Sequence, residues 1–138
     1  MRVPVTHVAA RVFGGLSLSV VAFQLALASG APWGHLTMGG AFTGRLPTGM
    51  RVAAVAQAFV LSAFAVVVAA RAQLMLPRWY GASRKLVWVV VAYMVVGVVL
   101  NTITPSGSER AVWLPVTLVL LICAIVVARG GSRRTPWP

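Results

Sequence analysis

A single carboxylate must serve any acid–base chemistry this chain performs. Glu109 is the one acidic residue in 138, against twelve Lys and Arg and a net charge of +11. It sits beside Arg110 at the end of a polar stretch, Asn101-Thr102-Ile103-Thr104-Pro105-Ser106-Gly107-Ser108. A second polar stretch, Gly30 to Arg51, is rich in Gly and Pro and carries Trp33, His35, Arg45 and Arg51. Two roles for Glu109 follow. In the structural role it forms an ion pair with Arg45, Arg51 or Arg110 and ties the two stretches together. In the functional role it is an acid, a base or a ligand contact, with His35 as its partner in an enzyme acting on a lipid-embedded substrate. Ser106 or Ser108 could cap a helix starting here, and an acid in its first turn is favoured by the helix dipole.

Three amides form the next constellation. Gln24, Gln57 and Asn101 each stand in or at the end of long apolar runs, where an unpaired amide is costly. Together with His35, Thr102 and Glu109 they could line a shallow polar cavity, with Trp33 or His35 as its lid. The plainer alternative is interhelical hydrogen bonding with no ligand, worth about 0.6 kcal/mol per bond. No complete catalytic set is present, and no nucleophile has a recognisable partner. His7 and His35 stand apart, and no His, Cys or carboxylate cluster has metal-ligand spacing, so neither a metal nor a cofactor is expected. The Gly-rich stretch lacks the Lys-Ser/Thr ending of a phosphate loop. Cys123 is the sole cysteine, which excludes an intrachain disulfide.

These residues must be positioned by apolar elements. Hydrophobic residues make up 59% of the chain and charged residues 9%, too few to clothe a soluble core of this size. Four runs, 12–29, 52–70, 86–104 and 111–128, are each long enough to cross a hydrocarbon layer about 30 Å thick. They lack period-two alternation, and lipid requires backbone hydrogen bonds to close within the segment, so they read as helices. Trp33, Trp79, Tyr80, Trp88 and Trp113 fall near the expected interfaces. The expectation is an all-α, single-domain integral membrane four-helix bundle.

Charge sets its orientation. Arg2, Arg11, Arg71, Arg78, Arg84, Lys85, Arg129, Arg133 and Arg134 gather on one side, nine in all, against Arg45, Arg51 and Arg110 on the other. The positive-inside rule then puts both termini in the cytoplasm and the stretches 30–50 and 101–110 outside. Gln24, Gln57 and Asn101 all fall in the outer leaflet in this arrangement. A rival reading takes residues 1–28 as a cleaved secretory signal ending at Ala26-Leu27-Ala28, against which the apolar stretch is longer than the usual 7–15 residues. The basic charge is interspersed between apolar runs with no aromatic-interleaved patch, which argues for lipid headgroups and against nucleic acid. The heavy use of Arg, Ala, Val and Gly suits a GC-rich bacterial genome, and hence a bacterial cytoplasmic membrane.

Small residues at intervals of four offer close helix approach: Gly15, Ser19, Ala22 and Ala26 in the first span, Ala54, Ala58 and Ser62 in the second, Gly97 in the third. They would serve packing within the bundle or, alternatively, the seam of a homodimer.

Two motifs carry a resemblance. Ala31-Pro32-Trp33-Gly34 with Gly39-Gly40, Gly44, Leu46-Pro47 and Arg51 is one; Asn101, Thr104-Pro105-Ser106, Glu109-Arg110, Trp113 and Pro115-Val116 is the other. Together they resemble a group of small bacterial membrane proteins with four predicted spans and no established activity. The resemblance implies four spans with the first uncleaved, and it carries over no catalytic assignment. The functional expectation is an outward-facing polar pocket that binds a small or lipid-like ligand. The alternatives are an accessory subunit docking another membrane protein through its outer loops, and an enzyme using His35 and Glu109.

Overall fold

A computed structural model describes residues 3–130. Arg2, Arg133 and Arg134, which enter the charge count above, lie outside the described residues. Four helices account for most of the rest: α1 (Val5–Ser29), α2 (Thr48–Arg71), α3 (Tyr80–Ile103) and α4 (Gly107–Arg129). No strand occurs among the described residues. Each helix is long and apolar enough to cross a membrane. At 1.5 Å per residue each spans about 35 Å.

The helix limits are chemically marked. Pro4 precedes α1 and Pro47 precedes α2, where a residue lacking an N–H loses nothing. Gly30 ends α1 at φ 104° in a Schellman turn: its N–H bonds the Leu27 carbonyl and Ala31 N–H bonds that of Ala26. The same turn ends α2, with Gln73 in the left-handed position at φ 60°. Ser106 caps α4, its hydroxyl accepting from Glu109 N–H at 3.2 Å. Helices α1 and α3 start six or seven residues before the uncharged runs at 12 and 86. His7 and Arg11 in α1, and Arg84 and Lys85 in α3, sit where long side chains can reach water.

Helices α1 and α2, α3 and α4, and α4 and α1 pack as neighbours, and α2 and α3 close the ring as its loosest adjacent pair. The short connections make this an up-and-down antiparallel bundle. Its two ends differ. The loop end carries residues 30–47 and the α3–α4 turn. The terminal end carries the described chain termini and the α2–α3 connection.

The main core lies toward the terminal end and includes Phe13, Val68, Val87, Val90, Leu120 and Val127, all essentially inaccessible. Arg71 fastens that end. It is buried, donates through Nη2 to the Ala128 carbonyl at 3.2 Å and through Nη1 to the Tyr80 hydroxyl at 3.3 Å, and its guanidinium stands 5.5 Å from the Tyr80 ring centre. One arginine thus joins the ends of α2, α3 and α4. A smaller core of Leu27, Leu46 and Ala54 seats the loop end.

Outside, large apolar side chains cover the bundle: Leu18, Phe59, Val89, Ile103 and Ile122 are each more than half exposed. The small-residue spacings divide between inside and outside. Ala54 and Ala58 are buried, and Gly97 faces the Thr117 methyl, where a Cβ would stand 3.7 Å away. Gly15, Ser19 and Ala22 instead face outward and take no part in packing within the bundle.

Candidate functional site

The α1–α2 loop folds as a roof over the loop end. Two short 3₁₀ turns, Gly34–Leu36 and Met38–Gly40, give it shape. Gly34 is buried and its N–H bonds the Gly44 carbonyl at 2.9 Å. A Cβ on Gly34 would stand 2.6 Å from that carbonyl oxygen and 2.7 Å from the one of Phe42, so only glycine permits the closure. Leu46 drops into the smaller core and anchors the far side of the loop.

Three further contacts hold the roof down. Trp113 Nε1 donates to the Leu36 carbonyl at 2.7 Å. Ser106 Oγ donates to the His35 carbonyl at 3.4 Å. Phe23 packs between two tryptophans, with centroids 6.0 Å from Trp33 and 4.7 Å from Trp113. Arg51 Nε donates to the Ala28 carbonyl at 2.7 Å, linking the start of α2 to the end of α1.

The α3–α4 turn orients the carboxylate. The buried Thr104 hydroxyl donates to Glu109 Oε2 at 2.8 Å, while Ser106 N–H approaches Thr104 Oγ1 at 3.4 Å. This is a capping box with a hydroxyl inserted: the acid at the third helical position reaches the cap residue through Thr104 instead of directly. Arg110, beside it, donates to the Thr104 carbonyl.

Beneath the roof is a cavity of about 710 Å³, lined from all four helices. Gln24, Gln57, Tyr93, Asn101 and Glu109 are among its polar groups, with three threonines beside them, and Phe23, Leu61, Met94, Trp113 and Leu120 are among its apolar walls. Tyr93 donates its hydroxyl to Gln57 Oε1 at 2.6 Å, bridging α3 and α2, and its ring meets Phe64 edge-on at 5.0 Å. Asn101 turns its amide N–H to the Gly97 carbonyl at 2.8 Å, which leaves its oxygen available. The lining residues of α1 and α4 are shielded from outside. Those that are exposed are Ala53 on α2, Val96, Leu100 and Ile103 on α3, and Met38 and Pro105 above them. The mouth therefore runs along the loose α2–α3 seam and under the roof.

Of the residues singled out from sequence, Gln24, Gln57, Asn101 and Glu109 come together on this cavity. The other three do not line it. Trp33 lies outside the wall, stacked on Phe23. His35 is exposed, and its contribution to the roof is its backbone carbonyl. Thr102 is exposed and donates back to the Val98 carbonyl. The enzyme reading paired His35 with Glu109, and His35 does not line the cavity that holds Glu109. The carboxylate's partner is Thr104 rather than an arginine: Arg51 and Arg110 each serve a backbone carbonyl, and Arg45 packs so close to Gly30 that a Cβ there would collide with it.

Tyr93 is not among the residues singled out from sequence, and Trp113 enters there only as an interfacial aromatic and a member of the second motif. The signal was present. Tyr93, Gly97 and Asn101 recur every four residues on one face of α3, and Trp113, Val116, Thr117 and Leu120 share a face of α4 at offsets of three, four and seven. No family model, curated protein or solved structure matches the chain.

Proposed function

We propose that this chain is a multi-pass protein of the bacterial cytoplasmic membrane, with both termini in the cytoplasm, and that its cavity binds a small amphiphile drawn from the outer leaflet. The observation that carries the reading is the cavity itself: about 710 Å³ of space at one end of the bundle, with a few polar side chains among mostly apolar walls. A pocket of that volume, mostly apolar with a few convergent polar groups, is of the size and kind that small ligands occupy. The apolar exterior supports insertion, since water is a poor solvent for so many exposed Leu, Val, Ile and Phe side chains. The bias of Lys and Arg toward the terminal end supports the orientation.

In that orientation the α2–α3 mouth lies at outer-leaflet depth. A ligand tail could slide in between Ala53 and Leu100 without crossing water, while its head meets Asn101 and Glu109 under the roof. Both loop motifs that carry the resemblance to small bacterial four-span proteins fall on the roof and on the α3–α4 turn.

The test is native mass spectrometry of the protein released from mild detergent micelles with 1-monooleoylglycerol added. The wild type is expected to retain one lipid molecule. Gly97→Phe, which puts a ring into the cavity from the α3 wall, is expected to lose it while keeping its helical circular dichroism. Equal retention by both proteins would remove the cavity from the account.

A further inference from the structure

The charge of the cavity is opposite to that of the chain. Twelve basic residues surround one acid in the sequence. Among the described residues, Glu109 is nevertheless the only charged side chain lining the cavity. The arginines at this end do not answer it. Arg51 is turned to the Ala28 carbonyl, Arg110 to the Thr104 carbonyl, and Arg45 lies over Gly30. Thr104 holds one carboxylate oxygen, Oε2, and does so with a neutral hydroxyl that leaves the negative charge in place. A charge beside low-dielectric walls acts more strongly than one in open water.

The surroundings favour the same sign. Phe23, Tyr93 and Trp113 line the cavity, and aromatic faces carry partial negative charge that attracts cations. The amide oxygen of Asn101 adds an acceptor, with one of its two amide N–H groups held by the Gly97 carbonyl. An anionic headgroup would meet a carboxylate with no Lys or Arg in the wall to offset the repulsion. A cationic one finds a carboxylate, an amide oxygen and aromatic faces.

Resting on the reading of this cavity as a ligand site, we propose that it selects hydrophobic cations: an amine or quaternary ammonium group, or another diffuse positive charge, on an apolar body. Glu109 sets the sign, Phe23, Tyr93 and Trp113 supply an aromatic wall, and the α2–α3 seam admits the apolar part.

The experiment is equilibrium dialysis of the purified protein in a neutral detergent with two probes of matched shape and opposite charge, tetraphenylphosphonium and tetraphenylborate. The wild type is expected to bind the phosphonium saturably, while tetraphenylborate, dialysed separately, shows no saturable binding. Glu109→Gln keeps an oxygen for the Thr104 hydroxyl and removes only the charge. It is expected to weaken phosphonium binding by about tenfold or more, which corresponds to about 1.4 kcal/mol. Ala53→Lys, at the exposed mouth, provides a second variant that does not touch the α3–α4 turn, and it is expected to weaken the phosphonium in the same direction. Equal affinity for the two probes, or phosphonium binding that neither variant changes, would overturn the charge selection while monooleoylglycerol lost in Gly97→Phe still upholds the cavity. If Gly97→Phe alters retention of neither the phosphonium nor the monoacylglycerol, both proposals fall.

Discussion

Replacing Thr104 by valine removes one hydroxyl and almost nothing else, which makes it a sharp probe of how the carboxylate is held. Thr104 is 6% exposed, so its side chain has little water to turn to. Its hydroxyl donates to Glu109 Oε2 at 2.8 Å and receives Ser106 N–H at 3.4 Å. A hydrogen bond to an ionised group contributes about 1.5–3 kcal/mol. Glu109 is only partly buried, which argues for the low end. The second contact is long and adds little. Thr104→Val is therefore expected to cost about 1.5 kcal/mol. That corresponds to a drop of roughly 3–6 °C in the thermal midpoint in detergent. Thr104→Ser keeps the hydroxyl and is expected to stay close to wild type. In the Thr104→Val background, Glu109→Gln is expected to cost less than it does alone, because its partner is already gone. A Thr104→Val protein as stable as wild type, or a serine variant as weak as the valine one, would refute the relay.

Other contacts give further expectations. The Tyr93–Gln57 bond at 2.6 Å is expected to show a coupling of about 0.6–1.7 kcal/mol in a double-mutant cycle of Tyr93→Phe and Gln57→Leu, read from unfolding in mixed detergent; zero coupling would place the two side chains apart. Gln73 occupies a left-handed position that suits glycine, so Gln73→Gly is expected to raise stability by about 1 kcal/mol, measured as a higher thermal midpoint. Arg71→Ala removes the links to Ala128 and Tyr80 and is expected to cost about 2–3 kcal/mol. Arg71→Lys should recover only part of this, since a single ammonium cannot reproduce the planar fork; full recovery in the same assay would show that charge alone suffices.

The four helices were legible because an uncharged run long enough to cross lipid has few other uses. Their ends were less so. Pro4 and the Gln73 turn, rather than the last apolar residue, decide where α1 begins and α2 stops, and a helix can continue through Arg11 or Lys85 once those side chains reach water. The amide constellation was readable from depth alone: Gln24 and Gln57 each stand five residues from the end of their runs, and Asn101 closes the third. The lid residues were not readable. His35 and Trp33 hold the roof from outside the cavity, His35 by its backbone carbonyl and Trp33 by stacking on Phe23, and the Leu36 carbonyl does so through a contact with Trp113 that spans 77 positions. Nor could sequence assign the arginines. Coulomb attraction favours pairing Glu109 with any of three, but the Gly30 turn and the Thr104 relay commit Arg51 and Arg110 to backbone carbonyls whose positions depend on the finished loop path.

Thiol labelling of intact cells tests most directly whether the cavity mouth faces outward. Met38 is exposed at the mouth and Met75 is exposed at the terminal end. With Cys123 changed to alanine, a cysteine placed at position 38 should react with a membrane-impermeant maleimide added outside, and one placed at position 75 should react only after the cells are permeabilised. Labelling of position 75 in intact cells, with position 38 silent until permeabilisation, would turn the bundle over and put the cavity on the wrong side of the membrane.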